Sequence, residues 1–206
     1  MKLHVALLLI VAVVFGWSGI EPHDYLTWFL EVAPVIIGAA ILIPTYRRFQ
    51  LTDLLYVLLA IHAVILMVGG HYTYAEVPLG EWVKDALDIE RNHYDRLGHF
   101  AQGFVPAILA REILLRKRVV SGRAWLFTIV VSICLAFSAV YELVEWTAAV
   151  LSAEAAESFL GTQGDAFDTQ KDMALALVGA IVAQLVLAKF HDRQLARLSG
   201  NAKSDL

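Results

Sequence analysis

Between positions 93 and 100 the chain reads His-Tyr-Asp-Arg-Leu-Gly-His-Phe, which places two histidines, an aspartate and an arginine where a charged stretch gives way to an apolar one. Ionisable groups are costly at such a boundary and persist where they find partners. Two other stretches offer them. Glu142 and Glu145 stand near the end of a long apolar run, in Tyr-Glu-Leu-Val-Glu-Trp, and residues 161–172, Gly-Thr-Gln-Gly-Asp-Ala-Phe-Asp-Thr-Gln-Lys-Asp, lead into the last such run. Imidazole and carboxylate groups in this number are ligands for Zn²⁺, Mn²⁺ or Mg²⁺. We take His99, Glu145, Asp165, Asp168 and Asp172 as candidate metal ligands, and His93, Asp95, Arg96 and Glu142 as candidate catalytic groups. A divalent metal held there would activate water or polarise a phosphoryl group of a lipid or lipid-linked substrate. Without a metal, the same acid and histidine pairs can do general acid/base work. The chain has no His-Glu-x-x-His and no Gly-x-Ser-x-Gly motif to name a reaction.

Each group also has a purely structural reading. Asp168 and Asp172 can cap and complement a helix N-terminus, and His93 with Asp95 can be a solvated pair. Glu142 and Glu145 can join helices. Asp165, Asp168 and Asp172 are three and four positions apart, so a helix would align all three; Gly161 and Gly164 instead indicate a tight turn, with only Asp168 and Asp172 in the helix. Like charges this close repel unless a cation, Arg96 or a shared proton intervenes. Two further ionisable residues fall inside apolar runs: His62, read as an interhelical hydrogen bonder, and Glu31, whose direction the sequence leaves open.

The elements that must position these groups are membrane spans. Of 206 residues, 59% are hydrophobic and 17% charged, against about 45–50% and about 25% in a soluble domain, and the mean hydropathy is +0.64. Six apolar segments emerge: Leu3 to Ile20, Tyr25 to Pro44, Asp53 to Gly70, Gly98 to Leu115, Trp125 to Leu151 and Met173 to Phe190. Each is close to the roughly 20 residues needed to cross a bilayer. The first lacks a small-x-small cleavage site and reads as a retained span. The expected fold is therefore all-α, a single domain over residues 1–206 with six transmembrane helices in one bundle. The lone Cys134 can form no intrachain disulfide, and no basic patch with interleaved aromatics suggests nucleic acid.

Lys and Arg favour cytoplasmic loops. They follow spans two, four and six at Arg47, Arg48, Arg116, Lys117, Arg118, Arg123, Lys189, Arg193 and Arg197, whereas residues 72–97 and 152–172 collect acid. Both termini are thus expected in the cytoplasm, with residues 72–97 and 152–172 as extracytoplasmic loops and residues 192–206 as a flexible tail. Apolar positions 82, 83, 86, 87 and 89 predict a short interfacial helix in the first of these loops. Helical rise then sets depth. Glu142 lies 17 residues beyond Trp125, roughly 26 Å at about 1.5 Å per residue, so it reaches the outer level where His71, His99 and Asp172 also fall.

The three motifs, His-Tyr-Asp-Arg-x-x-His-Phe, Glu-x-x-Glu-Trp and Gly-Thr-Gln-Gly-Asp-x-x-Asp-Thr-Gln-x-Asp-Met, on a chain of this length, resemble the YjdF-like family of bacterial inner-membrane proteins. The likeness covers nearly the whole chain and implies a topology but no reaction. A looser likeness is to the VanZ-like membrane proteins linked to glycopeptide resistance, from which the paired glutamates and the longer aspartate motif depart. Three functions compete: a metal-dependent hydrolase or transferase, a structural or accessory membrane protein, and an ion-coupled transporter. Against the transporter stand the lack of repeated halves and the gathering of polar groups at one face, not at the midplane.

Overall fold

An apolar run in hydrocarbon must satisfy its backbone N–H and C=O groups within itself, which leaves the helix as its only open solution. The computed structural model describes residues 2–151 and 162–204, and among them the regular structure is helical with no strand. In chain order the helices are α1 (Lys2–Ser18), α2 (Tyr25–Thr45), α3 (Asp53–Tyr72), α4 (Pro78–Leu87), α5 (Tyr94–Arg116), α6 (Arg123–Leu151) and α7 (Asp168–Ser204), with a 3₁₀ turn at Tyr74–Glu76. Four of them, α2, α3, α6 and α7, are long and apolar enough to cross a membrane. Helix α1 is also apolar but has 17 residues, and α5 carries Asp95, Arg96, Arg111, Glu112 and Arg116 along its 23 residues. The expected count of six spans therefore meets that criterion at four helices.

Helix α5 is the axis of the molecule, with buried residues from Tyr94 to Glu112. It is packed against α7 at backbone distance. A Cβ placed on Gly103 would lie 1.8 Å from the Ala176 carbonyl oxygen, and one on Gly179 would lie 2.2 Å from that of Phe100. Only hydrogen fits at either position, so the two helices are closest where both can do without a side chain. Below this contact Leu55, Ala107, Ile108, Leu126, Val130, Cys134, Ala180 and Ala183 form the apolar core. The opposite face of α6 leaves Phe137, Val140, Leu143 and Trp146 exposed, as a lipid-facing surface requires.

Helix ends follow their local chemistry. Asp24 caps α2, accepting from the Thr27 N–H at 2.7 Å, and this bond holds its carboxyl below the usual range. Helix α4 supplies the short helix expected from positions 82 to 89, with Pro78 in its first turn. Ahead of α7 the chain turns at Gln163 and Gly164, both at positive φ, and the Asp165 carboxylate accepts from the Phe167 N–H at 3.1 Å. That turn keeps Asp165 out of the helix that Asp168 begins. Gly161, and the acidic Glu154 and Glu157 of the expected outer loop, lie outside the described residues.

Helix α7 runs on to Ser204, past the point where polarity predicts a flexible tail from Asp192. Tertiary partners sustain its first polar turns. His191 is fully buried, Asp192 pairs with Arg111 at 2.7 Å, and Gln194 accepts from the Leu54 N–H at 2.9 Å.

Candidate functional site

Helix α5 starts at Tyr94, a turn earlier than its apolar run, which puts Asp95 and His99 on one face as i and i+4 neighbours. His99 Nε2 lies 3.3 Å from Asp95 Oδ1. Asp172, in the second turn of α7, completes a group of three whose ligand atoms all lie within 4.8 Å of one another. From α6, Glu142 brings Oε1 to 3.7 Å from His99 Nδ1, and Glu145 follows one turn later. Glu31 reaches in from α2 and accepts from the Tyr141 hydroxyl at 2.8 Å. Asp95, His99, Glu142, Glu145, Asp172 and Glu31 are all buried, none more than 8% exposed. Four helices thus deliver one imidazole and five carboxyl groups to a single enclosed level.

The hydrogen bonds within this group leave a gap for positive charge. His99 Nδ1 lies 3.1 Å from the Gln102 side-chain oxygen, an arrangement that suits a proton on Nδ1. In the neutral ring Nε2 is then itself an acceptor, and it faces the Asp95 carboxylate. Two acceptors at that distance repel unless a proton or a metal ion lies between them. Glu142 Oε1 and Asp172 Oδ1, both buried, have no hydrogen-bond partner among the described residues. Gln102, which the sequence reading passes over, fixes the ring as outer groups around metal ligands do.

The principal cation beside the group is Arg91, also passed over, because it precedes the helix and lies in a charged stretch. Its Nη2 lies 2.6 Å from Asp168 Oδ1 and 3.4 Å from Asp95 Oδ2, while Nη1 lies 3.7 Å from Asp165 Oδ2 and donates to the Thr162 carbonyl at 2.8 Å. The spacing Arg91-Asp95-His99 was the available signal. Asn92 and Gln163 reinforce this clamp by exchanging two hydrogen bonds, each of 3.0 Å, between backbone and side-chain amide. Arg96 has a smaller part than its place in the motif suggests, reaching Asp165 at 3.4 Å.

The remaining candidates lie apart from the trio. Asp165 pairs with Lys171 as well as the two arginines, and the hydrogen bond from the Lys171 ammonium holds its carboxyl below the usual range. Asp168 directs its carboxylate to Arg91 in place of a simple cap. His93 lines a separate apolar niche of about 120 Å³ with Leu79, Val83, Tyr94 and Leu97. Burial, then Arg96 and Arg91, keeps its imidazole below the ordinary histidine value. His71 sits with Nδ1 3.1 Å from the Ser18 carbonyl. His62 Nε2 is buried and has no hydrogen-bond partner among the described residues, which differs from the interhelical bond expected of it.

At the other end of α5 a second polar cluster had no signature in the sequence, since its members are some 60 to 80 positions apart. The fully buried Glu112 carboxylate accepts from Thr52 N–H at 3.1 Å and Thr52 Oγ1 at 2.8 Å, from Arg116 at 2.9 Å and from His191 Nε2 at 3.0 Å. Arg111 donates to His191 Nδ1 at 2.9 Å and to Asp192 at 2.7 Å. Here every partner is matched. This cluster is a fastening, whereas in the Asp95–His99–Asp172 group the buried Asp172 Oδ1 has no hydrogen-bond partner among the described residues.

An all-helical chain with lipid-facing apolar surfaces and a buried polar cluster is an integral membrane protein. It belongs to the DUF2238 family of predicted membrane proteins, which it matches over residues 3–193. It is 53% identical over 189 residues to the inner membrane protein YjdF of Escherichia coli (strain K12), covering 92% of this chain and 90% of that protein. No solved structure matches it significantly.

Proposed function

We propose that this is an inner-membrane hydrolase or transferase that binds a divalent metal through Asp95, His99 and Asp172 and acts on a lipid or lipid-linked substrate. The observation that carries the reading is the convergence of those three ligand atoms within 4.8 Å. Zn²⁺ or Mn²⁺ suits a mixed nitrogen and oxygen set, with Mg²⁺ favouring the carboxylates. Such an ion supplies an activated water or a polarised phosphoryl oxygen. Within the protein, Gln102 orients His99, and Glu142, with its unpaired Oε1, is placed to take up a proton. Arg91 keeps Asp95 and Asp168 in position. The site lies beside spans, so the substrate class we favour is one already in the bilayer.

In this reading α1 and α5 cross the membrane along with the four longer or more apolar helices, giving six spans and one domain. Both termini are cytoplasmic and the site faces outward. A topology reporter fused after Leu206, or inserted between Arg47 and Arg48, is expected to report cytoplasm, and one near Gly80 the outer side. An outer C-terminus would reverse the orientation and move the site to the cytoplasmic face.

Elemental analysis of protein purified without chelator tests the metal. A stoichiometric divalent ion is expected, absent from Asp172→Asn and His99→Gln, and bound about 10–100-fold more weakly by Gln102→Leu. Metal-free parent protein, or metal retained by both ligand variants, would defeat the assignment. A second reading, a structural lock joining α5 and α7, is favoured by the reach of Arg91 to carboxylates on both helices. Under it Asp172→Asn would change melting while no metal is found in any variant.

A further inference from the structure

Far from the proposed metal group, a cleft of about 230 Å³ opens between the last turns of α5, the connection to α6 and α7, lined by Arg111, Leu115, Val120, Arg123, Leu126 and Asp192. Its polar wall is basic on balance, since two guanidinium groups face one carboxylate. Arg111 is nearly buried and held in place by His191 and by Asp192 at 2.7 Å. That ion pair leaves the charge of Arg123 uncompensated. Arg123 is exposed, stands at the head of α6 and has no ion-pair or hydrogen-bond partner recorded among the described residues. The first turn of a helix adds N–H groups without intrahelical partners, which favour an anion.

The remaining wall is apolar, from Leu115, Val120 and Leu126, and it continues onto exposed Val119 and Trp125. A tryptophan exposed at the first turn of an apolar helix marks the level of lipid headgroups. Charge and apolar surface therefore meet at the depth where a phospholipid carries its phosphate above its acyl chains. Close in sequence to the lining residues, Lys117 and Arg118 follow α5 and Lys189 and Arg193 flank Asp192 on α7, and such basic residues raise the local concentration of anionic lipid.

We propose that this cleft is a binding site for the phosphate headgroup of an anionic phospholipid, with Arg123 and Arg111 as its cationic contacts and Leu115, Val120 and Leu126 against the first acyl carbons. The site is independent of the metal group, and a lipid bound here acts as a ligand and not as a substrate. Arg123 is the specificity-determining contact because it is free to turn to the phosphate, while Arg111 is already tied to its neighbours. Selection of anionic over zwitterionic lipid follows, because the neighbouring cations repel a choline group.

The test is the melting temperature of the purified protein in a neutral detergent, titrated with short-chain phosphatidylglycerol, short-chain phosphatidylcholine or inorganic phosphate. Phosphatidylglycerol is expected to raise the melting temperature saturably and phosphatidylcholine to leave it unchanged. Arg123→Gln, a surface change that should fold normally, is expected to weaken the phosphatidylglycerol effect about fivefold. Arg48→Gln, at a different loop, should leave it intact. Equal responses to the two lipids, or an unchanged response in Arg123→Gln, would overturn the proposal. A full response to inorganic phosphate alone would identify a free-anion site and overturn the lipid assignment.

Discussion

Arg91→Gln is expected to destabilise the folded protein by about 3–5 kcal/mol, as removal of one member of a buried ion pair does. The side chain is 11% exposed and stands within 4 Å of Asp95, Asp165 and Asp168, so its loss removes the cation shared by three carboxylates, of which Asp165 keeps Arg96 and Lys171. It also frees the Thr162 carbonyl that anchors the turn before α7. Arg96→Gln provides the comparison. That side chain is 29% exposed and, among the described carboxylates, pairs with Asp165, an interaction of about 0–1 kcal/mol in such a setting. Thermal melting of the two variants in the same detergent decides between them. Equal losses would mean that Arg91 is no more than another surface cation.

That contrast also marks the limit of what the sequence made legible. The helical class was readable because the bilayer leaves an apolar run few alternatives, and the common level of His99, Glu142 and Asp172 followed from a fixed rise per residue. The pairing of Asp95 with His99 depended on where α5 begins, and apolarity marks a helix poorly in its first, charged turn. Arg91 was lost for the same reason. It lies in a charged loop, where only the four-residue spacing to Asp95 and His99 separates it from Arg96 inside the motif. Asp165 was taken as a ligand with Asp168 and Asp172, although Gly164 already indicated a turn ahead of the helix; the positive φ at Gln163 and Gly164 makes that turn, and Asp165 pairs with Lys171. Glu31 could be resolved only by tertiary structure, since the Tyr141 hydroxyl that holds it belongs to a helix 110 positions away.

The cluster at the far end of α5 makes the second large prediction. Glu112→Leu is expected to lower stability by about 3–5 kcal/mol. The leucine fills much of the volume, yet it strands the Thr52 N–H and hydroxyl, the His191 Nε2–H and one Arg116 N–H, which all donate to this carboxylate. Glu112→Gln keeps one acceptor but turns an NH₂ toward groups that are themselves donors, so it should relieve only part of the loss. The double variant Glu112→Leu, His191→Leu removes a donor together with its acceptor. Its cost should fall short of the summed single costs by about 0.5–3 kcal/mol, the range for residues in one network. Additive losses would show that the two side chains do not act together. Positions 99 and 112 are thirteen residues apart on α5, roughly 20 Å along its axis. The Glu112 variants should therefore melt earlier while retaining per folded molecule whatever metal the parent binds, because the fastening and the Asp95–His99–Asp172 group share α5 and α7 but no side chain.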